Sequence, residues 1–172
     1  MHYEPFHNRF PDIAARETRT LIVFDMPGLP PGDYALTEAY CNEPGCDCRR
    51  VFFNVIEEET GRVVATIAYG WDSADYYVKW LGMDDPAMIS SLKGPALNPW
   101  SPQSELAPAL LAQMPLLLRD PQYVARLKQH YQMFKAAVNQ EAGLRSKPKK
   151  SKSPRAAYRK GKARSRDATE QL

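Results

Sequence analysis

Runs of β-branched and aromatic residues alternate with polar or glycine-rich turns along the first part of the chain. Such runs, when Gly, Pro, Asn or Asp close them, are typical of β-strands. They predict four strands, over residues 20–25, 34–40, 50–56 and 62–69. The third run is apolar on both faces, which indicates a strand near the middle of a sheet. We expect the last three strands to form an antiparallel meander.

From Asp72 onward, apolar residues recur every three or four positions, which is the period of an amphipathic helix. The pattern predicts two short helices that end at Gly82 and Gly94. A third helix is predicted over residues 105–118, and Pro115 within it should cause a kink or a break.

The strongest helical pattern is the last one. Asp120 is a candidate N-cap, Pro121 takes the first helical position, and the helix should reach residue 142. Its apolar stripe consists of Val124, Leu127, Tyr131, Phe134 and Val138. Because this stripe must be buried, the sequence predicts an α+β fold, with a small antiparallel sheet of about three to four strands packed against three to four C-terminal helices.

The length and composition fit one domain, which we assign to residues 1–143. The chain has 172 residues, and 44% of them are hydrophobic, so it can bury a core of its own. No run approaches the roughly 18 apolar residues that span a bilayer, and the N-terminal residues lack the apolar core of a signal peptide. An odd number of cysteines in one cluster is also unlike a secreted disulfide framework. We therefore expect a cytoplasmic protein.

Basic residues are concentrated at the C-terminal end of the chain. Residues 145–166 contain eleven Lys and Arg and no acidic residue. With so few apolar residues, the segment 144–172 is predicted to be disordered. Basic side chains near phosphates release condensed counterions, so we expect this tail to contact RNA, DNA or a ribonucleoprotein without sequence specificity. The candidate contacts are Lys147, Lys149, Lys150, Lys152, Arg155, Arg159, Lys160, Lys162, Arg164 and Arg166.

All three cysteines of the chain, Cys41, Cys46 and Cys48, lie within eight residues at the predicted turn between the second and third strands. Thiolates this close can reach one ion, and Zn²⁺ is the usual occupant of such a site in a reducing compartment. The sequence therefore predicts a structural zinc site. The alternatives are three reduced structural thiols or a thiol redox switch, for which Cys41 and Cys46 form the more feasible disulfide.

A structural zinc site usually has four protein ligands, and the chain has no fourth cysteine. We predict His130 as the fourth ligand, because it lies at the margin of the apolar stripe of the last helix and should face the protein body. The other candidates are His7, His2, Asp47 and a water molecule. A half-buried histidine that is hydrogen-bonded within the protein is the alternative interpretation of His130.

The Cys46-Asp47-Cys48 step resembles the Cys-x-Cys half of the SEC-C zinc motif of bacterial proteins. The resemblance covers these three residues, and the later Cys-Cys or Cys-His pair of that motif is missing. It implies zinc binding at this turn and no particular activity.

Sequence motifs of common enzyme classes are absent. The chain has no phosphate-binding Gly-rich loop, no HExxH, no GxSxG and no deaminase signature. We therefore predict a non-catalytic, zinc-stabilised binding module whose tail contacts nucleic acid. The alternatives are an adapter that docks an acidic protein, and a zinc hydrolase or thiol switch that uses the same cysteines. In a hydrolase, Asp47, Glu43 or His130 would be the general base.

Overall fold

The computed structural model describes residues 3–143, which form an α+β fold with a six-stranded antiparallel sheet and five α-helices. Residues 1, 2 and 144–172 lie outside the described residues, and so does the predicted basic tail. None of the helices in the described part is long and apolar enough to cross a membrane.

The sheet is built around the predicted meander. Its strands are β1 (Tyr3–Pro5), β2 (Arg19–Val23), β3 (Gly32–Cys41), β4 (Arg50–Glu57), β5 (Arg62–Gly70) and β6 (Ala96–Leu97). β1 and β2 pair with opposite ends of one edge of β3, and the sheet then continues through β4 and β5 to β6. β4 lies at the centre, as its apolar sequence predicts.

The helices are α1 (Pro11–Glu17), α2 (Ala74–Leu81), α3 (Pro86–Lys93), α4 (Ala107–Leu117) and α5 (Pro121–Glu141). The side chains of Ser73, Asp85 and Asp120 accept hydrogen bonds from backbone N–H groups at the starts of α2, α3 and α5, which confirms the cap predicted at Asp120. Pro115 lies in the final turn of α4. Because proline has no N–H, one helical hydrogen bond is lost there.

Three short elements, β1, β6 and α1, were not predicted from the sequence. The observed numbers of strands and helices therefore exceed the predicted three to four of each. β1 and β6 have three and two residues, too few to show an alternation. α1 has seven residues and no buried side chain, so it lacks an apolar stripe. The four helices after β5 are where the sequence predicts them.

Helix α5 covers one face of the sheet. Alternate side chains of the central strands point to it and are buried, among them Tyr40 of β3 and Phe53 of β4. The Tyr40 ring contacts Phe134 of α5 at 5.7 Å between centroids, and Phe53 stacks on Tyr123 at 6.3 Å. Burial of each such side chain contributes about 1.5–3 kcal/mol, so this layer accounts for much of the folding free energy. The core therefore lies between the sheet and α5, and the buried side chains of α4, Ala107, Leu110 and Met114, belong to it as well.

Candidate metal centre

The cysteine loop, residues 42–49, connects β3 to β4. Cys41 is the last residue of β3, Cys46 follows a tight turn in which its N–H donates to the Glu43 carbonyl at 3.3 Å, and Cys48 lies two residues before β4. Gly45 makes the turn possible, because its φ of 74° lies in the left-handed region that favours glycine.

The fold brings the three thiols together. Their sulfur atoms all lie within 4.8 Å of one another, and Cys41 and Cys48 are fully buried, whereas Cys46 is partly exposed. Sulfur atoms that share a tetrahedral zinc are about 3.8 Å apart, given Zn–S bonds of about 2.3 Å. Small side-chain rotations therefore suffice, and the three cysteines form a group that could hold a metal ion. Their geometry does not fix which metal.

Helix α5 holds one side of the cysteine loop. The Lys135 ammonium donates to the Cys41 carbonyl at 3.2 Å and to the Glu43 carbonyl at 2.6 Å. One turn later, the Asn139 side-chain oxygen accepts from the Gly45 N–H at 2.8 Å. Because residues four apart lie on the same helix face, the two side chains reach the loop together.

Tyrosines from two helices hold the other side of the loop. The Tyr131 hydroxyl of α5 accepts from the Arg49 N–H and donates to the Asp47 carboxylate, both at 3.3 Å. From α2, Tyr76 donates to the Asp47 carbonyl, and Tyr77 donates to the Arg49 carbonyl at 3.0 Å. These bonds fix both ends of the segment that contains Cys48, including Arg49, whose φ of 49° is unfavourable for a residue with a side chain.

The environment favours negative charge on one sulfur. A hydrogen bond from the Cys48 thiol, opposed by burial and assisted by the Glu43 N–H and the charge of Lys135, lowers the pKa of Cys41 to about 6. The same hydrogen bond and burial raise the pKa of Cys48, while burial and the Cys41 charge raise that of Cys46. Zn²⁺ with three thiolates would carry one net negative charge, and the buried Lys135 ammonium is placed to offset it.

His130 is not brought to the cysteines, which corrects the expectation that it completes the site. Its Nδ1 lies 2.8 Å from a Glu38 carboxylate oxygen, and its Nε2 lies 3.2 Å from a Glu17 carboxylate oxygen. The ring also stacks on Phe6 at 4.4 Å. Both ring nitrogens therefore have partners, and His130 connects α5 to β3 and α1. The alternative interpretation, a hydrogen-bonded buried histidine, describes it.

Two of the remaining candidate ligands, Asp47 and His7, are also outside the cysteine group. The Asp47 carboxylate accepts hydrogen bonds from the Arg49 guanidinium at 2.9–3.1 Å. His7 is exposed in the single 3₁₀ turn before α1, and His2 lies outside the described residues. Within residues 3–143, the group that could bind a metal consists of the three cysteines.

The side chains that hold the loop, Lys135, Asn139, Tyr76 and Tyr77, were not predicted from the sequence. One signal was present: a lysine falls inside the apolar stripe of α5, next to Phe134, where a charged residue needs buried partners. Tyr131, interpreted there as a core residue, also supplies the hydroxyl that binds Asp47 and Arg49.

The ten basic residues predicted to contact nucleic acid, from Lys147 to Arg166, lie outside the described residues. Comparison with known proteins finds no matching family model, no similar curated protein and no similar solved structure.

Proposed function

We propose that this protein is a non-catalytic binding module in which Zn²⁺, held by Cys41, Cys46 and Cys48, fixes the cysteine loop. The observation that carries the proposal is the convergence of the three sulfur atoms within 4.8 Å in a loop anchored by α2 and α5. Two of the three sulfurs belong to fully buried residues, which suits a structural ion better than one that must exchange substrates.

The contacts of the loop support a structural role. Its anchoring bonds end on backbone carbonyls and N–H groups, as in the Lys135, Asn139, Tyr76 and Tyr77 contacts, so they fix the path of the chain. A bound ion would add a cross-link between the end of β3 and the start of β4, at the point where both helices attach. The module would thus keep one shape on which a partner can dock.

The composition of the metal site is tested with the purified full-length chain. We expect one zinc per chain by mass spectrometry of the metal, and three thiols that react with a thiol reagent only after a chelator is added. Cys48→Ser should lose the zinc, whereas His130→Gln should retain it, because that ring is bound to Glu38 and Glu17. Three freely reactive thiols in a metal-free protein would contradict the proposal.

The fourth ligand is tested in the same preparation after cobalt substitution, because the spectrum of Co²⁺ reports the number of thiolates and the coordination geometry. His2→Ala is the most informative variant. His2 directly precedes Tyr3 in the sequence, and Tyr3 is the register partner of Cys41 in the pairing of β1 with β3. If His2→Ala alters the spectrum, His2 is the fourth ligand, and if the spectrum is unchanged, His2 is excluded.

A thiol switch is the second candidate, and the lowered pKa of Cys41 favours it, because a thiolate is the reactive form. In this function the Cys41 and Cys46 sulfurs would form a disulfide, while hydrogen peroxide accepts their two electrons, its O–O bond breaks, and the two thiol protons end in water. The metal assay separates the two candidates, since a switch predicts reactive thiols without a chelator and a reversible disulfide after peroxide.

We further propose that the basic tail, 144–172, contacts RNA or DNA through phosphates. Its charge supports this, because the segment carries eleven basic and two acidic residues. If about five of the ten candidate residues contact phosphates, affinity for single-stranded RNA should fall about 100-fold between 50 and 200 mM salt. Fluorescence anisotropy with a labelled RNA of mixed sequence measures this.

The matched variant for the tail replaces five of its Lys and Arg with Gln in the full-length chain. It should weaken binding and reduce the salt dependence roughly in proportion, while the melting temperature stays unchanged. Salt-insensitive binding, or equal binding by this variant, would contradict nucleic-acid contact by the tail. Selective capture of an acidic protein that RNA does not displace would instead support the adapter function.

A further inference from the structure

The sheet face opposite α5 carries a cavity of about 530 Å³. Phe52 of β4 and Ala68 of β5 line it, together with α3, Leu97 of β6 and residues 98–100 that follow this strand. The volume lies within the range of about 300–1,000 Å³ that is usual for small-molecule sites. None of its lining residues is a cysteine, but the cavity adjoins the candidate metal centre, because the Arg50 N–H donates to the Cys48 sulfur and Tyr3 is the register partner of Cys41.

Arg50, the first residue of β4, is the only charged side chain among the residues that line this cavity. It is 92% buried, since its exposed fraction is 8%. Its Nη2 donates to the Ser91 carbonyl at 3.4 Å, and its guanidinium lies 5.1 Å from the centre of the Phe52 ring. Within residues 3–143, no carboxylate pairs with it, and its Nε has no hydrogen-bond partner.

A buried guanidinium without a carboxylate partner is unfavourable by itself. The ring contact and the long bond to Ser91 satisfy a fraction of its five N–H donors. An anion in the cavity would supply the missing charge and acceptors, and a carboxylate matches the flat fork of a guanidinium. A singly charged ligand is favoured over a phosphate, because Arg50 supplies one positive charge and the lining holds no second cation.

The remaining lining is suited to a flat apolar group. Phe52 packs against the Tyr3 ring at 3.7 Å between centroids, which gives the cavity an aromatic floor. At the rim, Trp100 is 92% exposed and Met88 is 43% exposed. Exposed aromatic and thioether groups beside a cavity are typical of sites that contact a ring of a ligand.

We propose that this cavity binds a small aromatic carboxylate, with the carboxylate on Arg50 and the ring between Phe52 and Trp100. The site uses other side chains than the metal centre, and the inference goes beyond the proposed function. The protein would recognise the negative charge of this ligand and its flat apolar ring.

The proposal is tested by calorimetric titration of the full-length protein with indole-3-acetate, 1-naphthoate and benzoate. We expect saturable binding of at least one of these acids, and binding of indole weaker by about tenfold or more, because indole lacks the carboxylate. Arg50→Gln should weaken binding of the acid by a similar factor. Arg50→Lys keeps the charge and should retain part of the affinity.

Trp100→Ala tests the ring contact without disturbing the core, because that side chain is exposed. It should weaken binding of the acid severalfold, whereas Phe24→Ala, a matched change of an 84% exposed aromatic residue outside the cavity, should not. The proposal is overturned if none of the three acids binds to the wild type at millimolar concentration. Affinity that is unchanged in Trp100→Ala and equal for indole would overturn it as well.

Discussion

Removal of the metal, by a chelator or by Cys48→Ser, is expected to lower the melting temperature of the protein by about 12 °C. A structural zinc contributes its binding free energy to folding, and the proposed ion would join the end of β3 to the segment just before β4, where α2 and α5 attach. Since the chain also has a core of its own, we expect a loss of about 4 kcal/mol rather than complete unfolding, and a domain of this size loses about 3 °C per kcal/mol.

The comparison of wild type and variant is the control for this prediction. If the zinc is the cause, the chelator should destabilise the wild type and have little further effect on Cys48→Ser. Hydrogen exchange should speed up at the Gly45 and Arg49 amides, whose N–H groups donate to Asn139 and Tyr131. A wild type that is insensitive to chelator, with a shift below about 3 °C in the variant, would show that the loop is held without metal.

Lys135→Met separates the role of the charge from that of the ligands. Methionine preserves much of the volume of lysine but loses the bonds to the Cys41 and Glu43 carbonyls and the positive charge beside the thiolates. We expect this variant to retain one zinc at a lower affinity, whereas Cys48→Ser loses it. Equal zinc affinity in Lys135→Met and the wild type would show that Lys135 does not contribute to metal binding.

The second large effect is expected at His130 of α5, which contacts Glu38 and Glu17 and not the cysteine loop. His130→Leu should destabilise the protein by about 3–5 kcal/mol, because it leaves the buried Glu38 without its histidine partner. The Tyr40 hydroxyl, which donates to Glu38 at 2.6 Å, would remain as its buried contact. Chemical denaturation at pH 6 measures the loss.

A double-mutant cycle controls for the change in volume. Replacing both partners, His130→Leu with Glu38→Leu, should cost clearly less than the sum of the single changes, because no buried charge is left unpaired. Additive costs would show that the pair contributes through packing alone.

The same group predicts a pH dependence of stability. Burial opposes protonation of His130, but hydrogen bonds and charge from Glu38 and Glu17 outweigh it and raise its pKa above 6.5. A group with a raised folded-state pKa stabilises the fold fully below its unfolded value of 6.5, and this contribution is lost as pH rises through the folded value. The free energy of unfolding of the wild type should therefore fall as the pH rises through the folded-state pKa of His130, and His130→Leu should not show this fall.

Other charged groups surround His130 and belong in the analysis of its titration. Arg126, one turn earlier on α5, lies 3.8 Å from the Glu17 carboxylate, and His7 lines the same small cavity as His130. The variant His7→Gln is the control for this neighbour. The pH dependence of stability that is assigned to His130 should persist in it.

The elements with a strong local pattern could be predicted from the sequence. The four main strands and the helices α2 to α5 lie within a few residues of their predicted positions, because hydrophobic period, capping residues and prolines act locally. β1, β6 and α1 could not be predicted, since their stability comes from pairing and packing with distant residues such as Cys41 and Ile67.

The meeting of the three thiols could be predicted from the sequence, because the turn at Pro44-Gly45 and the antiparallel pairing of β3 with β4 fold these eight residues back on themselves. Which residues surround the thiols depends on tertiary packing. His130 and Lys135 are five positions apart on one helix, yet the first turns to Glu38 and Glu17 and the second to the cysteine loop. Helical periodicity shows that both are near the buried stripe, but the partner of each depends on how α5 crosses the sheet.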